Sequence, residues 1–282
     1  MITSEDRAHI LSEALPYILK YKEKIIVIKY GGNAMIDDYL KKLVMEDVVM
    51  LSSLGMKVVL VHGGGPEISS TLKKIGKESK FLNGLRVTDS ETVDVVTMAL
   101  AGKVNKNLCK QLNNAGGKAI GLSGLDANMI IAEPINEELG YVGNITNVDP
   151  SVILDSLNNG YIPVIAPIGF DKDGNVYNIN ADTAAARIAG ALGAESFIDM
   201  TDIKGVLKDK NDPTTLIKSI NVSEIGQLAK AGIIDGGMIP KVECCVEAIR
   251  RGVKQVCIID GRVPHSILIE VLTDEGVGTM FK

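Results

Sequence analysis

The segment IIVIKYGG at residues 25–32 decides the fold class. A run of β-branched residues ends in two glycines, and similar apolar runs return along the chain with helical patterns between them. These further runs are KVVLVHGGGP at 57–66, KAIGLSG at 118–124, YIPVIAPIG at 161–169, SFIDMTD at 196–202 and QVCIIDG at 255–261. Strands that are apolar throughout and alternate with helices indicate a mostly parallel sheet covered on both faces.

The turns of this pattern mark where a ligand would bind. In open parallel sheets ligands bind beyond the carboxyl ends of the strands, and the glycine clusters at 31–32, 63–65 and 121–124 all follow strand ends. They should therefore lie on one rim of the molecule. Between 128 and 149 the rhythm breaks, and the sequence there predicts a β-hairpin that leaves the sheet like a lid.

The first segment, residues 3–20, predicts an amphipathic helix. Thr3 followed by Asp6 fits a capping box, and Pro16 should kink the helix near its last turn. Because this helix precedes the first strand, it cannot be a crossover within the sheet. Its apolar face should dock on the body of the protein or on another subunit. That face comprises Ile10, Leu11, Ala14, Leu15, Ile18 and Leu19.

Composition excludes several classes of protein. The chain has 282 residues, 46% hydrophobic and 23% charged, as in an ordinary globular protein with one large α/β domain or two lobes. A net charge of -5, without a basic block, argues against a nucleic-acid partner. The absence of a signal-peptide pattern or membrane-length apolar run predicts a cytoplasmic protein. Neither a disulfide framework nor a metal site is expected of the four cysteines, Cys109, Cys244, Cys245 and Cys257.

The triplet Gly63-Gly64-Gly65, followed by Pro66, is typical of an anion-binding turn. Residues without Cβ let the backbone approach a ligand closely, and proline at the first helical position sacrifices no needed N–H. Free amides and the positive end of the helix dipole then face the rim. A tight βα turn is the plainer interpretation, but three consecutive glycines favour a ligand, which could be a phosphate or a carboxylate.

Polar side chains near the same rim indicate what such a ligand would meet. Lys29 lies inside an apolar strand, where lysine rarely lacks a partner, so it is predicted to reach the rim rather than the outer surface. The run from Asn178 to Asp182 holds more polar groups than one helix cap requires. Lys241 lies in the first turn of a helix, where the dipole disfavours it unless a negative group is near. Arg86 adds a further cation after a turn.

Several motif-based functions are excluded. The chain has no GxxxxGK[ST] loop, no GxGxxG fingerprint and no GxSxG elbow. The three histidines, His9, His62 and His265, lack the spacing of a catalytic triad or a metal site. A hydrolase is therefore not expected, and a nucleotide-binding oxidoreductase is a distant alternative.

Six segments together resemble the amino-acid kinase family. They are IKYGGNAM at 28–35, VHGGGPEI at 61–68, NGLRVTD at 83–89, YNINADTAA at 177–185, MTDIKGVL at 200–207 and GGMIPKV at 236–242. The resemblance runs from Ile25 to Met280 and is most specific to the branch that phosphorylates N-acetyl-L-glutamate. It implies a three-layer α/β/α sandwich with a mostly parallel central sheet of about eight strands. It also implies that ATP phosphorylates the γ-carboxylate to an acyl phosphate, the second step of arginine synthesis.

The resemblance also implies roles for individual residues. Lys29 and Lys241 match the lysines that stabilise the transferring phosphoryl, and Asp182 matches the carboxylate that positions them. ATP would carry Mg²⁺, held mainly by the nucleotide rather than by a protein metal site. Acetylglutamate would meet Gly64, Gly65, Arg86 and Asn178, with Arg86 pairing to a substrate carboxylate. The positions implied for the nucleotide and its phosphates are Gly32, Gly64, Thr201, Asp202, Gly205, Leu207, Ile233 and Asp235.

The chain ends bear on regulation. Residues 1–24 resemble the N-terminal helix of an arginine-inhibited, hexameric branch in which such helices interlace between dimers. Arginine would bind between this helix and the C-terminal segment, with Glu270 and Gly276 at the guanidinium end. Cys257 stands where some relatives are expected to have His, a departure from the pattern of that branch.

The resemblance implies two lobes that share one continuous sheet. Residues 25–172 would hold the acyl amino acid and residues 173–282 the nucleotide, divided near the Gly/Asp turn of 167–175. Two alternatives stay open at this point. One is another acyl or carbamoyl phosphate kinase of the same fold, and the other is a catalytically idle amino-acid sensor.

Overall fold

The computed structural model describes residues 3–282, apart from the side chain of Asn33. Its strands are β1 (Ile25–Tyr30), β2 (Lys57–His62), β3 (Phe81–Leu82), β4 (Leu85–Arg86), β5 (Ala119–Ser123), β6 (Ile130–Pro134), β7 (Gly143–Val148), β8 (Ile162–Ala166), β9 (Ile168–Phe170), β10 (Val176–Asn178), β11 (Ser196–Thr201), β12 (Ser219–Ile220), β13 (Gln255–Asp260) and β14 (Thr279–Phe281). Its α-helices are α1 (Ser4–Glu13), α2 (Leu15–Tyr21), α3 (Asp38–Ser53), α4 (Gly65–Lys74), α5 (Ser90–Thr97), α6 (Asn105–Asn114), α7 (Ser151–Asn158), α8 (Ala181–Ala191), α9 (Ile225–Lys230), α10 (Met238–Arg250) and α11 (Ser266–Leu272). A π-helical segment, Met98–Val104, joins α5 to α6.

The main sheet has eight strands in the order β12-β14-β13-β11-β1-β2-β8-β5. Its neighbours pair in parallel except β13 and β14, which pair antiparallel. Each apolar run quoted above contributes a strand to this sheet, and 161–169 also contributes β9 to a second sheet. The predicted fold class is confirmed.

Side-chain alternation along the strands creates the three layers. Val27 and Phe197 belong to a core cluster that includes residues of α7, α8 and α10, whereas Ile28 belongs to a cluster that includes residues of α3, α6 and α11. Successive strand residues point to opposite faces, so helices cover both sides of the sheet. The same period places Lys29 on the face of Val27, towards α8 and α10.

The hairpin predicted between 128 and 149 is present as β6 and β7, which pair antiparallel. It does not stand alone, because β9 and β10 extend it to a four-stranded sheet in the order β10-β9-β6-β7. The predicted division at 167–175 falls in this sheet, where the Asp171 side chain accepts backbone N–H groups of the β9–β10 turn. The two-lobe division stays a prediction.

The N-terminal helix is bent, as predicted. Thr3 Oγ1 accepts the N–H of Asp6 at 3.0 Å, and Asp6 Oδ2 accepts the N–H of Thr3 at 2.9 Å, which completes the capping box. The helix breaks at Ala14, and Pro16 lies in the first turn of α2, where its missing N–H is harmless. Within residues 3–282, no helix is long and apolar enough to cross a membrane.

Candidate active site

Two charged residues face each other in the middle of the sheet. Lys29 of β1 and Asp199 of β11 are paired in register and only 7% and 1% exposed. Lys29 Nζ lies 3.3 Å from Asp199 Oδ1 and 3.3 Å from the carbonyl oxygen of Met200. Burying a charge costs free energy unless the charge is paired. Lys29 and Asp199 each offset the cost of burying the other. The expectation that Lys29 is not a surface side chain is confirmed.

Two helix N-termini complete the cluster. Asn180 caps α8 by accepting the N–H groups of Asp182 and Thr183, and this places Asp182 in the first turn, where the helix dipole favours a carboxylate. Asp182 lies 2.7 Å from Lys29 and 2.9 Å from Lys241, which enters from the first turn of α10. Lys241 also lies 3.4 Å from Asp199. A negative group was predicted near Lys241, and the structure places two there, Asp182 and Asp199.

Lys29, Asp182, Asp199 and Lys241 form what we term the ion-pair quartet. Burial alone would lower the pKa of Lys29, but Asp199 and Asp182 raise it above the ordinary value. Burial alone would raise the pKa of Asp182, but Lys29 and Lys241 lower it to about 2. The pKa of Asp199 is raised by its burial, against the pull of Lys29. Lys29 and Asp182 are therefore charged at neutral pH, and the Lys29 ammonium can attract an anionic ligand.

The glycine turn lies at the end of β2. α4 begins at Gly65 with Pro66 in its first turn, as predicted. Among the described residues, the N–H groups of Gly64 and Gly65 meet no backbone acceptor, so they are free for a ligand. A Cβ on Gly64 would collide with Leu100 of the π-helical segment. Glycine at this position therefore also makes room for the Leu100 side chain.

A cavity of about 170 Å³ opens beside the turn and is lined by Gly63, Gly64, Gly65, Arg86 and Asn178, among others. Arg86 is only 7% exposed. Its Nη2 donates to the carbonyl oxygen of Gly65 at 3.0 Å and to Ser69 Oγ at 2.9 Å, and its guanidinium carbon lies 4.7 Å from the ring centroid of Phe81. These contacts fix the guanidinium at the cavity wall, where it can meet a carboxylate.

Asn178, the last residue of β10, also lines this cavity, although it lies more than a hundred residues after the glycine turn in the sequence. Its Nδ2 donates to Thr88 Oγ1 at 3.3 Å. The structure therefore brings together the residues predicted to meet the acceptor.

Some of the positions predicted for the nucleotide lie together where β11 ends. Gly32 has a left-handed φ of 69°, and a Cβ there would collide with the Asp202 carboxylate. Thr201 ends β11 in register with Asp260 of β13. The other members of the set are more scattered: Gly205 lies against Thr279, Leu207 bridges to Leu216, Ile233 is half-buried, and Asp235 lies 3.8 Å from Lys210. Their role in binding a nucleotide stays a prediction.

The residues predicted for arginine lie together in the C-terminal segment. Glu270 Oε2 accepts the N–H of Val277 at 3.0 Å, beside Gly276, whose φ is 57°. The buried thiol of Cys257 faces Glu270, and burial followed by this carboxylate raises the pKa of the thiol. All four cysteines are free.

Sequence reasoning missed Asp199 and set aside His62. Asp199 carries the same signal as Lys29, because it is a charged residue in an otherwise apolar strand, SFIDMT. The spacing of His62 from the other two histidines indicates neither a catalytic triad nor a metal site. His62 is fully buried directly before the glycine turn, which no spacing rule detects.

Comparison with known proteins decides the family. The family model described as the amino acid kinase family matches residues 24–260. The chain belongs to the amino acid kinase family.

Within this family, the relatives include acetylglutamate kinases. The enzyme from Brachyspira hyodysenteriae is 56% identical over 99% of this chain and 98% of its own length. The enzyme from Caldanaerobacter subterraneus is 54% identical over 97% of this chain and 92% of its own length. The predicted family and enzyme class are confirmed, and the chain is an enzyme of the acetylglutamate kinase group.

Solved amino acid kinase folds agree with this assignment. N-acetylglutamate synthase from Neisseria gonorrhoeae, solved with coenzyme A and N-acetyl-glutamate, superposes with a TM-score of 0.85 at 26% identity, over 97% of this chain and 63% of that longer chain. Carbamate kinase from Giardia lamblia superposes with a TM-score of 0.69 at 18% identity, over 92% of this chain and 98% of that one, which bears on the fold alone.

Proposed function

We propose that this kinase transfers the γ-phosphoryl of ATP to the γ-carboxylate of N-acetyl-L-glutamate, giving ADP and the acyl phosphate in arginine synthesis. The observation that carries the proposal is the ion-pair quartet, in which a buried lysine, Lys29, and a partly buried one, Lys241, are held by two aspartates. It lies in a fold shared with acetylglutamate kinases, one of which is 56% identical to this chain. The cavity walled by Arg86 and the glycine turn supports a carboxylate-bearing acceptor.

The chemistry requires positioning and charge neutralisation more than proton transfer. Phosphoryl transfer passes through a transition state whose charge spreads over the equatorial oxygens, and Lys29 and Lys241 would stabilise that charge. Asp182, bonded to both lysines, would keep them in place. The acceptor carboxylate is already ionised at neutral pH and needs no general base. Arg86 would clamp a second carboxylate of the substrate and so fix its orientation.

ATP would enter as its magnesium complex. Among residues 3–282, no group of three or more His, Cys, Asp and Glu side chains could hold a metal ion. We assign Mg²⁺ to the nucleotide phosphates as part of the substrate, because the metal ion of phosphoryl transfer bridges the β- and γ-phosphate oxygens. The nucleotide would lie over the segment that follows β11.

A substrate panel tests this proposal. We expect ADP release, measured by a coupled assay, with N-acetyl-L-glutamate and not with aspartate, glutamate, carbamate or UMP. Preference for another acceptor would move the chain to a different kinase activity, and no turnover with any acceptor would favour an amino-acid sensor.

Arginine substitutions test the roles of the two lysines. Lys29→Arg and Lys241→Arg should retain the fold and lose about 100-fold or more of kcat, because a planar guanidinium cannot replace a compact ammonium on the phosphoryl group. Lys254→Arg, on the surface before β13, is the matched control. Near-normal turnover of both site variants would overturn the assigned roles.

We further propose feedback inhibition by arginine and assembly into a hexamer in the cytoplasm. A groove of about 810 Å³ lies between the N-terminal helices and a C-terminal wall made of Leu268, Ile269 and residues 272–275. Glu270 and Gly276 do not line this groove but lie in the same C-terminal segment, so the groove supports an effector site next to them. The free cysteines suit a reducing compartment. Arginine should inhibit the wild type in an activity titration, and Glu270→Gln should weaken this inhibition, whereas Glu243→Gln on α10 should not. Equal sensitivity of all three proteins would contradict the proposed site.

A further inference from the structure

His62 is a buried histidine that the proposed chemistry does not use. It ends β2, is fully buried, and directly precedes the glycine turn. Burial lowers the pKa of its imidazole to about 4, so the ring is neutral at physiological pH. A neutral imidazole has one donor and one acceptor nitrogen, and its contacts decide which is which.

The contacts of His62 fix its tautomer. Nδ1 lies 2.7 Å from the carbonyl oxygen of Gly63. A carbonyl can only accept a hydrogen bond, so Nδ1 carries the hydrogen and Nε2 is left as the acceptor. Nε2 lies 3.2 Å from Nδ2 of Asn105, which is itself only 1% exposed.

Asn105 is held as firmly as His62. Its Nδ2 donates to the carbonyl oxygen of Val164 at 2.8 Å and lies 3.2 Å from that of Leu122. Because both partners are acceptors, the amide group of Asn105 can have only one orientation. The result is a closed buried network that runs from β5 and β8 through Asn105 and His62 to the first peptide of the glycine turn.

This network determines where the N–H of Gly64 points. In a planar trans peptide, the carbonyl of one residue and the N–H of the next point in opposite directions. The Gly63 carbonyl faces His62, so the Gly64 N–H points away from His62. The Gly63 N–H is also bound, to the carbonyl oxygen of Tyr30 at 2.8 Å. Without these contacts, a Gly-Gly peptide could rotate easily, because glycine accepts most backbone conformations.

We propose that His62, oriented by Asn105, is a positioning residue that fixes the Gly64 amide as an anion-binding donor for the phosphoryl-transfer transition state. The inference rests on the proposed function, which puts an anion at this turn. His62 acts through the Gly63–Gly64 peptide and touches no reacting atom. A preorganised donor costs no rearrangement at the moment of reaction, which is why such donors accelerate reactions.

The neighbouring helix supports this view. The π-helical segment ends at Val104, directly before Asn105, and its Leu100 packs against Gly64. π-Helical turns occur frequently at functional sites. Here the segment contacts the glycine turn on one side and presents Asn105 to His62 on the other.

Two substitutions of His62 separate positioning from structure. In His62→Asn the side-chain amide nitrogen is attached to Cγ, as Nδ1 is in histidine, so it can still donate to the Gly63 carbonyl. In His62→Leu this donor is lost and the apolar volume is retained. We expect His62→Leu to lose about 10- to 100-fold of kcat with little change in KM for MgATP, and His62→Asn to stay within about 5-fold of wild type. Asn114→Ala, on the exposed end of α6, is the control.

A second measurement does not depend on turnover. ADP with aluminium fluoride mimics the transferring phosphoryl, so its affinity should fall in His62→Leu by the same factor as kcat, whereas the affinity for ADP alone should be unchanged. A well-folded His62→Leu protein, checked by circular dichroism, with wild-type kcat and analogue affinity would overturn the inference. So would equal losses in His62→Asn and His62→Leu.

The proposed function and the inference about His62 can be contradicted by different results. If the wild type phosphorylates a different acceptor, the choice of N-acetyl-L-glutamate is wrong, and the same comparison is made with the acceptor that it uses. If the wild type phosphorylates none, the analogue affinities of the wild type and the two variants decide the inference about His62.

Discussion

At the scale of single residues, the site is an arrangement of compensated charges. Two lysines and two aspartates lie within ion-pair distance in a mostly buried cluster. Such a cluster is stable only as a set, because removing one partner leaves an uncompensated charge. Asp182 makes the shorter contacts to both lysines, whereas Asp199 lies beneath them in the sheet. Removing the charge of Asp182 and removing that of Asp199 should therefore affect anion binding and turnover differently.

Asp199→Asn should bind MgATP more tightly. The substitution removes one carboxylate that competes with phosphate for both lysines, an effect of about 1 kcal/mol or roughly 5-fold in Kd at the effective dielectric of such sites. Calorimetric titration with a non-hydrolysable ATP analogue measures this change. Asp182→Asn is the comparison and should lose turnover, since it releases both lysines. Weaker binding by Asp199→Asn would show that Asp199 holds the lysines in a productive position instead.

At the scale of secondary-structure elements, an ion pair between a buried carboxylate and a partly exposed histidine connects α3 with the turn before α11. Asp47, in the middle of α3, lies 2.6 Å from Nδ1 of His265, which precedes α11. Burial raises the pKa of Asp47 to about 6, although the hydrogen bond and the charge of His265 act in the opposite direction. The junction of these two helices should therefore respond to pH.

The stability of the fold should carry a contribution from Asp47 that falls as pH rises. Its folded-state pKa of about 6 lies above the unfolded value of about 3.9, so the folded state binds the proton more tightly. This contribution is fully present below pH 4 and is lost as pH rises to about 6, up to about 3 kcal/mol.

Asp47→Asn should remove this contribution. Urea unfolding between pH 4 and 7.5 should show a free-energy difference between wild type and variant that changes through this window and is constant above it. Asp155→Asn, an exposed aspartate of α7, should show no such change. Parallel profiles of wild type and Asp47→Asn would contradict the assignment.

At the scale of the whole molecule, one part of the apolar face of the N-terminal helix packs against the protein and another part is exposed. Ala14 and Ile18 pack against the core of the protein. Leu11, Leu15 and Leu19 follow one another at intervals of four, form one stripe, and are 68%, 53% and 64% exposed. An exposed stripe of this kind marks a surface for another protein chain, in agreement with the hexamer proposed above.

Leu11→Glu should therefore reduce the size of the assembly. A charge at the N-terminal end of the stripe would be buried without a partner in a subunit interface. Sedimentation velocity should show a smaller species than wild type, with the same far-ultraviolet circular dichroism. His9→Glu, outside the stripe, is the control. An unchanged sedimentation coefficient for Leu11→Glu would place the oligomer interface elsewhere.

The layers, the rim of glycine turns, the bend of the N-terminal helix and the importance of Lys29 can all be predicted from the amino-acid sequence. These features depend on local periodicity and on backbone preferences, which act over a few residues. Three contacts become visible only in the folded chain: Asp199 lies beside Lys29, Asp182 bridges Lys29 to Lys241, and His62 holds the Gly63 carbonyl. Strand register and the docking of α8 and α10 create these contacts between residues up to 170 positions apart along the chain, as for Lys29 and Asp199. Such pairings follow from the packing of the whole sheet, and short stretches of sequence contain no record of them.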